Sequence, residues 1–316
     1  MKRIPIYIIA LIIIVSCARD KVVSLEPSGY ETINQLTLEE GDLKAVFVDN
    51  SEIPPDHRAG YNGITQLYHT LQDSSVFVPS IAGLNLEHIF SGDSLEQFFE
   101  PRVNPMTLYK ISDTRVMLHQ KETPFSGVES LTEFELVAPH YIDISYRFII
   151  HDIDYFRHGY AGFFWASYIN APPDKNIYFR GISSDGKGEE WISAFSDLHG
   201  KESTHMATGD NLRTFFAPDF RIVLAKAFSG YRYSMPFYCG RFHNMVIAFF
   251  FDSSEIIRFT QSPTGGGKLN PAWDYQYLIP DPEAKKEYGF NIRVVYKPFI
   301  CNDDIKQEYE KWKNSR

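Results

Sequence analysis

Apolar and polar positions alternate at a period of two along much of this chain. In Tyr141–Ile150, Ile142, Ile144, Tyr146 and Phe148 point one way and Asp143, Ser145 and Arg147 the other. Gly162–Asn170 is apolar or aromatic at nearly every position, the pattern of a strand covered on both faces. Similar short runs recur at Leu43–Val48, Ile64–Thr70, Val76–Pro79, Gly83–Phe90, Met106–Ile111, Arg115–His119 and Thr132–Val137. They continue at Asn176–Arg180, Glu190–Phe195, Phe220–Leu224, Met245–Phe251, Glu255–Gln261, Asp274–Ile279 and Tyr288–Tyr296. Turn residues separate them at hairpin spacing. Only the C-terminus has a helical period: Asn302 can cap a helix with Asp303 and Asp304 in its first turn and Ile305, Tyr309 and Trp312 as one stripe. The pattern predicts an all-β fold, a large antiparallel two-sheet sandwich with a short C-terminal helix. No repeat and no low-complexity linker divides it, so residues 38–316 are expected to form a single domain.

The N-terminus adds an address. Lys2 and Arg3 precede an apolar run, Ile6–Val15, too short to span a bilayer and of signal-peptide proportions. It ends in Ile14-Val15-Ser16-Cys17, which resembles the bacterial lipobox. That resemblance implies a signal peptide over residues 1–16 and a lipidated, palmitate-bearing Cys17. Residues 17–37 would follow as anchor and tether, and membrane attachment would be through lipid alone. Ala18 after the cysteine is compatible with sorting to the outer membrane, on its periplasmic or surface face.

Removing residues 1–16 leaves 29 basic residues against 40 acidic, a formal charge of −11. A body so acidic lacks the positive surface that phosphate backbones require, which argues against nucleic acid as a partner. Cys239 and Cys301 are too far apart in sequence to indicate whether they pair.

The chain length and strand number, with the absence of a linker, are similar to the galactose-mutarotase-like β-supersandwich of sugar epimerases, glycosidases and polysaccharide lyases. The phrases Gly83–Phe90, Phe156–Pro172 and Asn270–Pro280 resemble those of secreted lipoproteins from saccharide-degrading bacteria. These resemblances imply a saccharide ligand. They carry over no catalytic residue, because the epimerase histidines and carboxylate base do not align onto this chain.

Candidate chemistry follows from residue types. Glu87 and His88 interrupt an apolar run, and alternation lets only one of them face a pocket. Arg157 and His158 lead into the strand that carries Trp165. There Arg157, with Arg180 joining across the sheet, can offset a carboxylate; His158 or His88 can move a proton, and Trp165 can stack on a sugar ring. Asp152 and Asp154 supply too few oxygens for calcium, so no metal or other cofactor is expected. His199 and His205 flank a Gly/Ser/Thr-rich loop expected to be solvated. Ser262–Lys268 lacks the residues of a phosphate loop and reads as a flexible glycine loop that frees Trp273 and Asp274 to approach a bound ring. The expected pocket gathers Arg157, His158, Trp165, Arg180, Glu87, His88, Trp273 and Asp274, in a lyase, glycosidase or epimerase. The alternative is a non-catalytic glycan-binding lipoprotein using Trp165 and Trp273.

Overall fold

The computed structural model describes residues 24–316 apart from residues 82, 95–96, 184–187 and 254–255. The signal segment, Cys17 and Ala18 lie outside the described residues. The chain runs through β1 (Glu31–Ile33), β2 (Gln35–Glu40), β3 (Leu43–Val48), β4 (Gly63–His69), β5 (Leu84–Phe90) and the helical turn α1 (Glu100–Val103). There follow β6 (Met106–Lys110), β7 (Arg115–Gln120), β8 (Val128–Val137), β9 (Tyr141–Ile150), β10 (Tyr160–Ser167), β11 (Ile177–Ile182) and β12 (Glu189–Ala194). The last part comprises β13 (Thr204–Ala207), α2 (Val223–Lys226), β14 (Phe228–Tyr233), β15 (Phe237–Phe242), β16 (Met245–Phe251), β17 (Ile257–Ser262), β18 (Ala272–Pro280), β19 (Glu287–Pro298) and helix α3 (Asn302–Asn314).

Strand pairing gives two layers. The first runs β2-β3-β4-β5-β10-β18-β17-β13-β14. The second runs β12-β11-β15-β16-β19-β9-β8-β7-β6-β1. They join where Gly181 of β11 pairs with Tyr233 of β14. Among the described strands every pairing is antiparallel except β13 with β14. The alternation read at β9 holds: Ile142, Ile144, Tyr146 and Phe148 are buried and meet the inner face of β10 and β18. Phe148 lies 4.4 Å from Phe163 between ring centroids, and Trp165 stacks on Tyr275 at 5.2 Å.

Both outer faces are partly covered, for different reasons. On the second layer α3 seats Ile305, Tyr309 and Trp312 against Phe237, Val246 and Phe250. Burying such side chains contributes about 1.5–3 kcal/mol each. Cys301, not Asn302, occupies the N-cap of this helix. On the first layer, Phe220, Ile222 and Leu224 pack on Phe164, Ala166 and Leu278. That segment was expected as a strand. It is an irregular stretch leading into α2, and its cover is why β10 is buried on both sides.

Other boundaries differ too. Val76–Pro79 forms no strand of its own: it meets Ile169 through a bridge at Phe77, and the Val76 amide donates to the Leu67 carbonyl of β4 at 3.0 Å. The expected tether is already docked before residue 38: the Ser24 hydroxyl and Leu25 amide donate to Glu129 Oε1, at 2.7 and 2.9 Å, and β1 and β2 are paired. Cys239 is buried and Cys301 exposed, and both are free thiols. Among the described residues no helix is long and apolar enough to cross a membrane.

Candidate active site

The site is created by one irregularity in β5. Leu84 and Leu86 face the inter-sheet core, and strict alternation would place His88 there as well. A β-bulge intervenes: Phe164 of β10 pairs with His88 and the next residue, Trp165, with Leu86, so Glu87 is the extra residue. Ile89 returns to the core, whereas Glu87 and His88 both turn to the outer face. The expectation that only one of them lines a pocket is therefore corrected.

Together with the α2 segment and the glycine loop they border a cavity of about 200 Å³. Phe98, Phe99, Phe164, Ile222 and Leu224 give it apolar walls. Across β10, two strand spacings (about 10 Å) from β5, Asp274 enters from β18. Ala166 faces outward between them and leaves room above the sheet. Gly265 forms part of the wall by necessity: a Cβ there would lie 2.4 Å from the Tyr168 ring and 2.5 Å from the Ala272 Cβ.

Glu87 is buried among donors. Arg102 Nη2 lies 2.7 Å from its Oε1, and the Tyr168 hydroxyl donates to the same oxygen at 2.6 Å. Arg102 is itself held by Asn85 Oδ1 at 2.9 Å and lies over the Tyr61 ring at 4.2 Å. Burial alone would raise the Glu87 carboxyl, but the Arg102 guanidinium, His88 and the Tyr168 hydroxyl bring it below the ordinary range. Asp274 shows the opposite balance. Burial, reinforced by the charge of Glu87, pushes it well above the ordinary range against one stabilising bond from the Ser167 amide at 2.8 Å. The surroundings thus push Glu87 toward the carboxylate and Asp274 toward the protonated acid.

His88 stacks on Phe99, with ring centroids 4.7 Å apart, and its Nδ1 accepts from the Phe99 amide at 3.4 Å. Burial lowers it to about 4, so it is a neutral imidazole. Phe99 holds this place at φ 60°, a left-handed conformation that costs a non-glycine residue about 1–2 kcal/mol. His199 enters from the loop after β12, its Nδ1 3.0 Å from Ser262 Oγ, and Arg221 lies over the Phe98 ring at 4.6 Å. The arrangement can give a proton from Asp274 and hold negative charge at Glu87. Two carboxyl groups pushed apart in this way are the mark of an acid–base pair. Among the described residues no group of three or more His, Cys, Asp or Glu side chains is placed to hold a metal ion.

Of the residues picked out from sequence, Glu87, His88 and Asp274 come together here. Trp165 and Trp273 do not, because both point from odd positions of β10 and β18 into the core. Trp165 is 1% exposed, and the Trp273 indole N–H is spent on the Lys175 carbonyl. Neither can stack on a sugar, and the glycine loop frees no tryptophan. Arg157 and His158 form a separate cluster on Asp93, with Arg157 Nε at 3.0 Å and His158 Nε2 at 3.3 Å from Oδ2. This cluster lies by the Tyr160 end of β10, about 13 Å along the strand from Phe164. Arg180 is on the outer face of the second layer, beside Glu189 and Trp191, with both sheets between it and the cavity. His205 is fully buried rather than solvated. Arg102 and Tyr168 escaped the sequence reading: no local pattern marks a pairing across 15 and 81 positions from Glu87.

No family model and no curated protein matches this chain. Solved structures do. One is an Escherichia coli K12 protein assigned as an aldose 1-epimerase, with a TM-score of 0.50 and 9% identity over 84% of this chain and 99% of that one. Another is a galactose mutarotase related enzyme from Lactobacillus acidophilus, with a TM-score of 0.51 and 9% identity over 84% of this chain and all of that one. Likeness at this identity is likeness of fold: the chain has the galactose-mutarotase-like β-sandwich architecture, closed at its C-terminus by a short helix.

Proposed function

We propose that this chain is a lipid-anchored envelope protein that acts on carbohydrate, taking one sugar ring into the cavity bounded by Glu87, His88 and Asp274. The observation that carries the reading is two buried carboxyl groups at one aromatic-walled cavity whose surroundings push them in opposite directions. The shared architecture with proteins named for aldose epimerisation supports the same reading.

The chemistry that suits this pair is acid–base chemistry at the anomeric carbon. Asp274 gives its proton to the oxygen leaving that carbon, and the carbon–oxygen bond breaks with its electron pair staying on that oxygen. Water or the re-closing hydroxyl then adds to the carbon and returns its proton to the Asp274 carboxylate. Glu87 offsets the positive charge that develops on the carbon. Neutral His88 is placed to hold a ring hydroxyl. The anchor rests on the Ile14–Cys17 lipobox. Docking of Ser24 on Glu129 fits a short tether that keeps the domain near the bilayer.

The test is proton NMR of the full-length chain with simple aldoses and a panel of glycosides, following anomer exchange and release of reducing ends. Wild type should accelerate one of these reactions, and Asp274→Asn should be about 100- to 1000-fold slower, the usual loss of one such electrostatic contact. Wild-type rates indistinguishable from buffer, or an unimpaired Asp274→Asn variant, would refute the reading.

A further inference from the structure

A second cavity, of about 490 Å³, opens where β12, β13 and β14 meet, and it is lined by a different set of side chains. Its floor is a short polar chain. His205 Nε2 lies 3.2 Å from Gln261 Nε2, His205 Nδ1 lies 2.6 Å from Ser229 Oγ, and that hydroxyl donates to the Tyr231 carbonyl at 3.3 Å. His205 is neutral, burial lowering it to about 3, so one ring nitrogen donates and the other accepts. The Gln261 amide N–H therefore donates to Nε2, and the Nδ1 hydrogen goes to Ser229. That leaves the Gln261 carbonyl oxygen as an acceptor for a ligand, on a side chain only 2% exposed. Two aromatic rings stand at the mouth, Phe195 and Tyr231, 48% and 38% exposed.

We infer that this cavity is a second saccharide-binding site, selective for an uncharged sugar and distinct from the Glu87 pocket. Flat apolar rings beside fixed polar groups match a pyranose, which presents an apolar face and a rim of hydroxyls. Among the described lining residues the only charged group is Glu202, a carboxylate. Phosphate, sulfate and uronate ligands find no cation there and would be repelled. The lining is too polar for a lipid chain.

β17 separates the two sites. Gln261 faces this cavity, while its neighbour Ser262 faces the Glu87 pocket. The loop after β12 likewise sends His199 to one and Glu202 to the other. One saccharide ring cannot occupy both. A polymer held at the second site would stay at high effective concentration near the first.

Isothermal titration of the full-length chain in detergent tests this, with cello-, xylo- and malto-hexaose as uncharged probes and oligogalacturonate as the acidic one. At least one uncharged probe should bind. The double substitution Phe195→Ala/Tyr231→Ala, at exposed positions that leave the core intact, should weaken it about tenfold or more, as expected from losing two stacking contacts. Asp274→Asn should leave this affinity unchanged, which separates the outcome from that of the Glu87 pocket. No binding of any uncharged probe would overturn the inference. So would equal affinity in the double variant, loss of affinity in Asp274→Asn alone, or preference for the acidic probe.

Discussion

Replacing Arg102 by Met tests the electrostatics of the Glu87 pocket most directly. The change keeps an unbranched apolar stem over Tyr61 but removes the one cation within 2.7 Å of Glu87 Oε1. Both side chains are 9% exposed, so water cannot take over that role. Removing one partner of a buried pair costs about 3–5 kcal/mol, because the other charge is left uncompensated. At about 2–4 °C per kcal/mol for a domain of this order, the melting temperature at pH 7.5 should fall by about 6–20 °C. The cost depends on pH in a definite direction. In wild type Glu87 lies below the ordinary carboxylate range, so its stabilisation is complete above that range and is lost only as pH falls through the lowered value. In the variant burial dominates and raises Glu87 above that range, so ionisation destabilises the fold as pH rises through the raised value. The difference between variant and wild type should be greatest at pH 7.5 and shrink as the pH is lowered to 4.5. Urea unfolding at both values measures it. A further Glu87→Gln change in the variant removes the stranded charge and should recover most of the loss at pH 7.5. A penalty independent of pH, with no recovery in the double variant, would refute the assignment of Glu87 as a carboxylate held by Arg102.

Asp274→Asn should melt no lower than wild type at pH 7, since the amide oxygen can still accept from Ser167 and burial already disfavours the Asp274 carboxylate. Wild-type turnover should fall as pH rises through the raised value of Asp274; a rate still climbing into alkaline pH would exclude it as the proton donor. Trp165→Ala should cost about 3–5 kcal/mol through the cavity it leaves beside Tyr146 and Tyr275. An unchanged melting temperature with lost saccharide binding would instead return Trp165 to the site. Cys17→Ser should abolish metabolic labelling with palmitate, and persistent labelling would end the anchor proposal.

The strands that could be read from the chain were those whose neighbours bury one or both faces completely. Leu43–Val48, Tyr141–Ile150 and Met245–Phe251 have the expected ends, and the Ile305–Tyr309–Trp312 stripe is the face α3 buries. There the burial period is a property of the segment itself. β1, β2, β13, β14 and β15 were missed. They are short, or interrupted by glycine or polar residues, and pairing partners rather than composition hold them in place. The site divides in the same way. Glu87 and His88 stood out as polar residues inside an apolar run, an arrangement a fold retains only with compensation. Asp274 was picked for the glycine loop before it, and reaches the cavity instead as a fixed position of β18. The rest is tertiary. The bulge that turns both Glu87 and His88 outward exists only against β10, and it overrides alternation on β5. Trp165 and Trp273 look like sugar platforms until the parity of their strands is fixed by two packed sheets. Asp274 and Glu87 are chemically alike in the sequence. They differ because Arg102 and Tyr168, brought in from distant segments, contact Glu87 directly and outweigh its burial, whereas at Asp274 the charge of Arg102 and the Ser167 amide do not. Desolvation and its compensation belong to the assembled core, and no local stretch of residues specifies them.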